Sequence, residues 1–179
     1  EKENFQKEKQ LDFFVSQCDV IIHLAAMNRH SDQEFIYKTN IELVQKLVAS
    51  LVRTNSSAHV IMSSSSQEEK DNLYGKSKKE GRELMINWES KSQGSFSGLI
   101  IPNVFGPFGK PNYNSVVATF CQKLANNEEP EIHVDGNLSL IYVEELVQEI
   151  LNVIEKGLSN KKLTIKTTTN IRVSEILSL

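Results

Sequence analysis

The chain has 179 residues, 39% of them hydrophobic and 24% charged, and its formal net charge is −3 at pH 7. That size and composition suit a globular protein with one core, and the acidic balance argues against a broad surface for nucleic acid or anionic membranes. The sequence shows no signal peptide and no apolar run long enough to span a bilayer, which predicts a cytoplasmic protein.

The two cysteines, Cys18 and Cys121, are far apart in the sequence and lie in apolar surroundings. We therefore expect buried free thiols in a reducing compartment and no disulfide. The cysteines and histidines lack the spacing of metal ligands, so the sequence predicts no metal site.

The first half of the chain alternates predicted helices and strands. Residues 18–26 form a short apolar run that ends in small residues, which predicts a buried strand of a parallel sheet. Ser31 and Glu34 have the spacing of a capping box, so a long helix is predicted to begin there and to end near Thr54. The next predicted elements are a strand at 59–62 that runs into four serines, a polar loop at 67–72, a helix that carries Tyr74 and Lys78, and a strand at 96–101.

The second half adds shorter elements. Residues 102–114 combine turn-forming residues with aromatic and amide side chains, which predicts a long binding loop. The predicted elements that follow are a helix at 115–126, extended segments at 132–134 and 138–143, a helix at 144–156 closed by Gly157, a strand at 162–166 and a helix from 173. This order predicts an α/β fold with a parallel sheet, helical crossovers and later α+β additions.

Tyr74 and Lys78 are the candidate catalytic pair. Their spacing places both side chains on one helix face, although most such pairs are ordinary helix surface. An ammonium beside a phenol favours the phenolate, so we expect Lys78 to lower the pKa of Tyr74. A serine at the end of the preceding strand is placed to share the same proton, and the three groups together suit proton transfer at a carbonyl oxygen.

Five motifs, in order, resemble the extended short-chain dehydrogenases/reductases, the NAD-dependent epimerase/dehydratase family. They are the strand at 19–26, Asn40, the serines at 63–65, Tyr74 with Lys78, and residues 102–106. The resemblance implies a Rossmann-like, doubly wound parallel sheet and a small α+β substrate-binding part. Residues 1–102 would be a truncated dinucleotide-binding part, and residues 103–179 would mainly be the substrate-binding part, interleaved with the former.

The resemblance also implies roles for individual residues. Catalysis falls to Ser65, Tyr74 and Lys78, and Asn40 supports the site through backbone hydrogen bonds. The implied cofactor contacts are Leu24, Ala25, Ala26, Ser63, Tyr74, Lys78 and Pro102. The candidate substrate contacts are Asn103, Arg29, Lys110 and Asn112.

A narrower resemblance lies in residues 110–121, joined to the loop at 102–109, and in residues 25–29 and 64–67. These segments are similar to the CapF/WbjC-type bifunctional capsular-polysaccharide enzymes, which couple an NADPH-dependent reductase domain to a C-terminal cupin epimerase domain. The short interval from Ser65 to Tyr74 points the same way. So does Leu138, where many nucleotide-sugar epimerases carry a phosphate-binding arginine.

The family's Gly-x-x-Gly-x-x-Gly phosphate fingerprint does not occur in this chain. The strand–helix–strand that carries it would precede Glu1, so we expect a longer natural protein with a cupin domain downstream. The strand at 20–24 would then be an exposed apolar sheet edge. We expect the chain alone to associate or to be unstable for that reason.

The implied activity is NADPH-dependent reduction of the C4 ketone of a UDP-linked 2-acetamido-2,6-dideoxy-hexos-4-ulose, on the route to UDP-N-acetyl-L-fucosamine for surface polysaccharide. NAD stays open as the cofactor. The implied partners are the UDP-sugar and a second copy in a homodimer, with no nucleic acid and no membrane.

Two other functions stay open. A nucleotide-sugar 4-epimerase with tightly bound NAD shares the same three catalytic groups, and a non-catalytic nucleotide-binding regulator is the other alternative. A 4,6-dehydratase is disfavoured, because that chemistry places Asp-Glu directly after the catalytic serine, whereas Ser66 and Gln67 follow Ser65 here.

Overall fold

The computed structural model describes residues 7–178. The helices are α1 (Glu8–Val15), α2 (Gln33–Arg53), α3 (Leu73–Glu89), α4 (Val116–Ala125), α5 (Val143–Glu155) and α6 (Val173–Leu177), with a short 3-10 helix at Ser66–Glu69. The strands are β1 (Val20–His23), β2 (His59–Ser65), β3 (Ser95–Ile101), β4 (Asn103–Phe105), β5 (Asn137–Tyr142), β6 (Leu163–Thr164) and β7 (Thr169–Arg172).

The chain divides into two compact units, each made of two stretches of sequence. The first unit comprises Glu1–Ile100 and Val153–Thr164, and the second comprises Ile101–Asn152 and Ile165–Leu179. The roles assigned from the sequence to residues 1–102 and 103–179, dinucleotide binding and substrate binding, stay a prediction.

The first unit is built on a parallel sheet in the order β1-β2-β3-β6. Parallel pairing sets Ile21 opposite Val60 and Leu99 opposite Leu163. The predicted α/β fold with a parallel sheet is therefore confirmed. The core lies between this sheet and helices α1, α2 and α3, and its most deeply buried side chains include Val15, Leu47, Leu51, Val60, Met85 and Phe96. The apolar spacing along α2 and α3 produces this packing, because it lines one face of each helix.

Among the described residues, β1 lies at one edge of the four-stranded sheet. Its Ile22 is 44% exposed, and Leu24 just beyond it is 60% exposed. An exposed apolar edge offers unpaired backbone groups to another strand. The instability or association expected of the isolated chain stays a prediction.

The second unit contains a separate three-stranded sheet in the order β4-β5-β7. Strands β4 and β5 run parallel, with Val104 opposite Ile141, and β5 and β7 run antiparallel, with Leu138 opposite Ile171. Gly157 has a positive φ of 56° after α5, as expected for a residue that closes a helix.

Several predicted boundaries are wrong. The side chain of Asp32, not Ser31, caps α2, because its Oδ1 accepts hydrogen bonds from the backbone N–H groups of Glu34 and Phe35 at 2.9 and 3.2 Å. Residues 132–134 do not form a strand, whereas β4 lies inside the predicted loop at 102–114 and β7 lies in a segment for which no strand was predicted. These short strands depend on pairing with β5, which the local sequence does not specify.

Both cysteines are free thiols, but they are not both buried. Cys121 is exposed on α4, and half-buried Cys18 donates from its thiol to the carbonyl oxygen of Phe14 at 3.2 Å. Within residues 7–178, no helix is both long enough and apolar enough to cross a membrane. The same residues contain no cluster of three or more His, Cys, Asp or Glu side chains arranged to hold a metal ion.

Candidate active site

The start of α3 places Tyr74 in the first turn of the helix. Asn72 caps the helix, and its Oδ1 accepts a hydrogen bond from the Gly75 N–H at 2.7 Å. The absence of a side chain at Gly75 lets the helix approach the backbone of the preceding 3-10 turn, where the carbonyl oxygen of Gln67 would lie 2.0 Å from an added Cβ. Tyr74 is thus held close to the end of β2.

Ser65, the last residue of β2, lies near enough to the Tyr74 side chain for hydrogen bonding to lower the pKa of the phenol. The Ser65 hydroxyl also accepts from the backbone N–H of Gln67 at 3.2 Å, which caps the 3-10 helix. The two candidate groups are therefore neighbours, as proton transfer at one oxygen requires.

Lys78 lies one turn after Tyr74 and is only 4% exposed. Burial lowers the pKa of its ammonium to about 8, and the charge of Glu68 acts in the opposite direction. Within residues 7–178 the ammonium donates no hydrogen bond to the protein, so its three donors are available to a ligand. The nearby His23 at the end of β1 is buried as well, and burial followed by the charge of Lys78 lowers its pKa to about 4. His23 is therefore neutral near pH 7.

The predicted lowering of the Tyr74 pKa is wrong. Burial raises the pKa of the phenol, and the hydrogen bond with Ser65 only partly opposes this. Desolvation disfavours the phenolate more strongly than local contacts favour it. The tyrosine is therefore a protonated phenol near neutral pH, which is the form that can donate a proton.

Asn40 ties the site to the segment after β1. It is 3% exposed in the middle of α2, its Oδ1 accepts from the Met27 N–H at 2.6 Å, and its Nδ2 donates to the Met27 carbonyl oxygen at 3.1 Å. The same Nδ2 donates to the Ser77 hydroxyl at 3.1 Å, and that hydroxyl donates to the Tyr74 carbonyl oxygen at 2.7 Å. One amide thus links α2, the loop at Met27 and the first turn of α3.

We expect Asn40→Ala to lower the free energy of unfolding by about 1–3 kcal/mol, because the partly buried N–H and carbonyl oxygen of Met27 would both lose their partner. Thermal unfolding of the full-length protein measures the effect. Asn87→Ala, an exposed asparagine on α3, is the matched control and should change stability by less than about 0.5 kcal/mol. Equal melting temperatures for the two variants would contradict the bridging role of Asn40.

The remaining cofactor candidates of the first unit lie at the carboxyl ends of β1 and β2. Leu24 and Ala25 are exposed, and Ala26 is half-buried. The half-buried Ser63 donates from its hydroxyl to the His23 carbonyl oxygen at 3.3 Å. Small and accessible residues at this edge, close to a buried ammonium with unused donors, fit a flat, polar ligand such as a dinucleotide.

In the second unit, Asn103 lines a cavity of about 310 Å³. The wall is mainly apolar, with a few polar side chains among the lining residues Asn114, Val116, Phe120, Glu131, Ile132, His133, Leu138 and Leu140. A volume of this size and a wall of this kind are typical of a small-molecule site.

The other predicted ligand contacts do not line this cavity. Lys110 lies over the ring of Tyr113, with 5.3 Å from its Nζ to the ring centroid. Asn112 donates from its backbone N–H to the Thr119 hydroxyl at 2.9 Å and from its amide to Gln122 at 3.3 Å. Pro102 is buried and Arg29 is exposed. Of the candidates in the second unit, Asn103 alone borders the cavity described above.

Residues 3–165 match the NAD dependent epimerase/dehydratase family. The chain belongs to this family. It is 32% identical over 165 residues to UDP-2-acetamido-2,6-beta-L-arabino-hexul-4-ose reductase of Pseudomonas aeruginosa, a match that covers 90% of this chain and 44% of the relative.

Two solved structures have folds similar to that of this chain. The capsular polysaccharide assembling protein CapF of Staphylococcus aureus superposes with a TM-score of 0.79 at 31% identity, over 96% of this chain and 46% of CapF. UDP-glucose 4-epimerase of Thermotoga maritima, solved with UDP-glucose, has a TM-score of 0.84 at 19% identity, over 97% of this chain and 64% of that one. The chain thus spans less than half the length of the two relatives that it resembles at above 30% identity.

Membership of the NAD-dependent epimerase/dehydratase family implies a nicotinamide cofactor, which agrees with the accessible edge beside Lys78. Most of the cavity residues in the second unit, above all Phe120, Glu131 and His133, were not predicted from the sequence. A signal was present, because the apolar residues Ile132 and Val134 alternate with polar ones after Pro130. That pattern predicts a strand, whereas Ile132 and Val134 line the cavity wall in the structure.

Proposed function

We propose that this chain is the reductase part of an enzyme that uses NADPH to reduce the C4 ketone of a UDP-linked 2-acetamido-2,6-dideoxy-hexos-4-ulose. The observation that carries the proposal is the placement of Ser65 at the end of β2 beside a protonated Tyr74, one turn from the buried Lys78. The substrate is inferred from the 32% identical reductase of Pseudomonas aeruginosa. A cytoplasmic location and a homodimer belong to the same proposal.

The proposed chemistry adds a hydride and a proton across the C=O bond to give an alcohol. NADPH, when bound, supplies the hydride. Ser65 would hold the carbonyl oxygen, and Tyr74 would give that oxygen its proton as negative charge develops there. The raised pKa keeps Tyr74 protonated near neutral pH, which is the form that can give this proton.

Lys78 would bind the nicotinamide ribose through its unused N–H donors and carry a positive charge near the phenol. Ala25, Ala26 and Ser63 would line the cofactor at the carboxyl edge of the parallel sheet. In the second unit, the cavity at Asn103 supports a substrate-binding role, because pockets of about 300–1,000 Å³ hold ligands of this size.

The experiment that tests the proposal follows the absorbance of NADPH in the full-length protein with a UDP-linked 4-keto-6-deoxy-N-acetylhexosamine. Roughly a millimolar concentration of the sugar suffices for typical KM values. We expect oxidation of NADPH with formation of the 4-hydroxy sugar. Interconversion of 4-hydroxy sugars without net oxidation would replace the proposal by a 4-epimerase with tightly held NAD. Cofactor binding without any conversion would replace it by a regulatory role.

A further inference from the structure

A buried ion pair lies behind the catalytic residues. Arg82 donates from Nε to both carboxylate oxygens of Glu68, at 3.0 and 3.2 Å, and from Nη2 to Oε2 at 2.9 Å. The side chain of Glu68 is 1% exposed and that of Arg82 is 9% exposed. None of the roles described so far uses either residue.

The pair joins the segments that carry Ser65, Tyr74 and Lys78. Glu68 belongs to the 3-10 helix between Ser65 and Tyr74, and Arg82 lies one turn after Lys78 on α3. The hydroxyl of Ser64, the neighbour of Ser65, donates to Glu68 as well. Ser64 on β2 and Arg82 on α3 are thus both hydrogen-bonded to the Glu68 carboxylate.

The residues around Arg82 provide a further hydrogen-bond acceptor and space for its side chain. Its Nη1 donates to the Lys161 carbonyl oxygen at 3.4 Å. Gly98 on β3 leaves room for the arginine stem, since an added Cβ would lie 2.6 Å from the Arg82 Cδ. A side chain at position 98 would displace the arginine.

Stability alone does not explain a buried pair of this kind. Removing two charges from water costs several kcal/mol per ion, and well-packed apolar residues of similar volume often stabilise a fold equally or better. A satisfied buried network does hold its members in one arrangement, because every alternative leaves a charge without a partner.

We infer that the Glu68–Arg82 pair is a positioning device that holds Ser65 at the end of β2 against the Tyr74–Lys78 face of α3, with the Glu68 carboxylate as the counter-charge of Lys78. The Lys78 charge interacts with Glu68 on the 3-10 helix and with His23 on β1, and Tyr74 and Arg82 lie one turn before and one turn after Lys78 on α3. His23 is neutral near pH 7, so the Glu68 carboxylate is one negative charge that faces two cations, the Arg82 guanidinium and the Lys78 ammonium. The kinetic part of this inference rests on the proposed function.

The test compares Glu68→Gln with Glu69→Gln in the full-length protein. Glu69 is the matched control, because it lies on the same turn but pairs with Lys162 at the exposed surface. We expect Glu68→Gln to lower kcat for NADPH oxidation by about 10- to 100-fold with little change in the KM of the UDP-sugar, since small misplacements of catalytic groups have effects of that order. Glu69→Gln should retain the wild-type kcat.

A second measurement needs neither substrate nor turnover. NMR of 13C-labelled lysine follows the charge state of Lys78, with Lys78→Arg identifying its signal. Removing the negative charge disfavours the ammonium, so we expect the titration of Lys78 to move to lower pH in Glu68→Gln and to stay unchanged in Glu69→Gln. An unchanged titration in Glu68→Gln would overturn the electrostatic part of the inference, whether or not the wild-type protein oxidises NADPH.

The double variant Glu68→Leu/Arg82→Met separates positioning from folding, because it removes both members of the ion pair and leaves neither of the two buried alone. We expect a folded protein with a reduced kcat. Wild-type kcat in this variant would show that the pair only fills space and would overturn the inference.

If Glu68→Gln fails to fold, the double variant alone decides the outcome. Absence of NADPH oxidation in the wild type contradicts the proposed function and leaves the NMR titration as the test of the pair.

Discussion

Tyr74→Phe is expected to lower kcat by about 10²–10⁴-fold in the full-length protein, the range that positioned general acids contribute. The substitution removes only the hydroxyl that lies near Ser65 and that would protonate the reduced carbonyl. The KM of the UDP-sugar should change by no more than a few fold, because the loss falls mainly on the transition state. Steady-state NADPH oxidation with the wild type and the variant measures both constants.

Tyr37→Phe is the matched control for Tyr74→Phe. Tyr37 also donates a side-chain hydrogen bond, but to Glu80 rather than to Ser65. We expect this variant to keep the wild-type kcat. If Tyr74→Phe retained more than about a tenth of the wild-type kcat, the proton would have to come from another group, and the proposed role of Tyr74 would be wrong.

Gly75→Ala is expected to destabilise the full-length protein by about 3 kcal/mol, at the upper end of the usual cost of overpacking. Its Cβ would lie 2.0 Å from the carbonyl oxygen and 2.8 Å from the carbonyl carbon of Gln67, and backbone atoms cannot move aside as a flexible side chain does. Helix propensity alone would favour alanine by about 1 kcal/mol, so a net loss of stability reports the clash.

The same substitution should also lower kcat, because relief of the clash moves the Gln67 turn that the Ser65 hydroxyl caps. Thermal unfolding and NADPH oxidation, measured on one preparation, test both effects. The matched control is Gly136→Ala, where an added Cβ meets no atom within 4 Å. A melting temperature for Gly75→Ala equal to that of Gly136→Ala would show that α3 does not need the close approach to the 3-10 turn.

Much of the first unit was predictable from the sequence. The apolar periodicity of α2 and α3 and the apolar run at β1 reflect burial on particular faces, and burial is a local property that the residue pattern records. The spacing of Tyr74 and Lys78 predicted that both side chains lie on one face of α3, because residues four apart are one helical turn from each other. The motifs around Asn40, Ser65 and Tyr74 were sufficient to predict the family, which the match over residues 3–165 confirms.

The short elements of the second unit were less predictable. Strand β4 has three residues and β7 has four, and both are strands because β5 pairs with them. Residues 132–134 have a strand-like pattern but line a cavity instead. At the start of α2, Ser31 and Asp32 are both good capping residues, and only the backbone geometry selects Asp32.

By itself, the sequence determined the α/β class, because burial on particular faces leaves a periodic pattern along one chain. It determined the family and the candidate catalytic groups through the resemblance of its ordered motifs to that family. The tertiary structure decided the electrostatics of the site. The pKa of Tyr74 is raised rather than lowered because burial outweighs its contacts, and burial depends on the packing of distant segments. The Glu68–Arg82 pair and the bonds from Asn40 to Met27 likewise join residues that only the fold brings together.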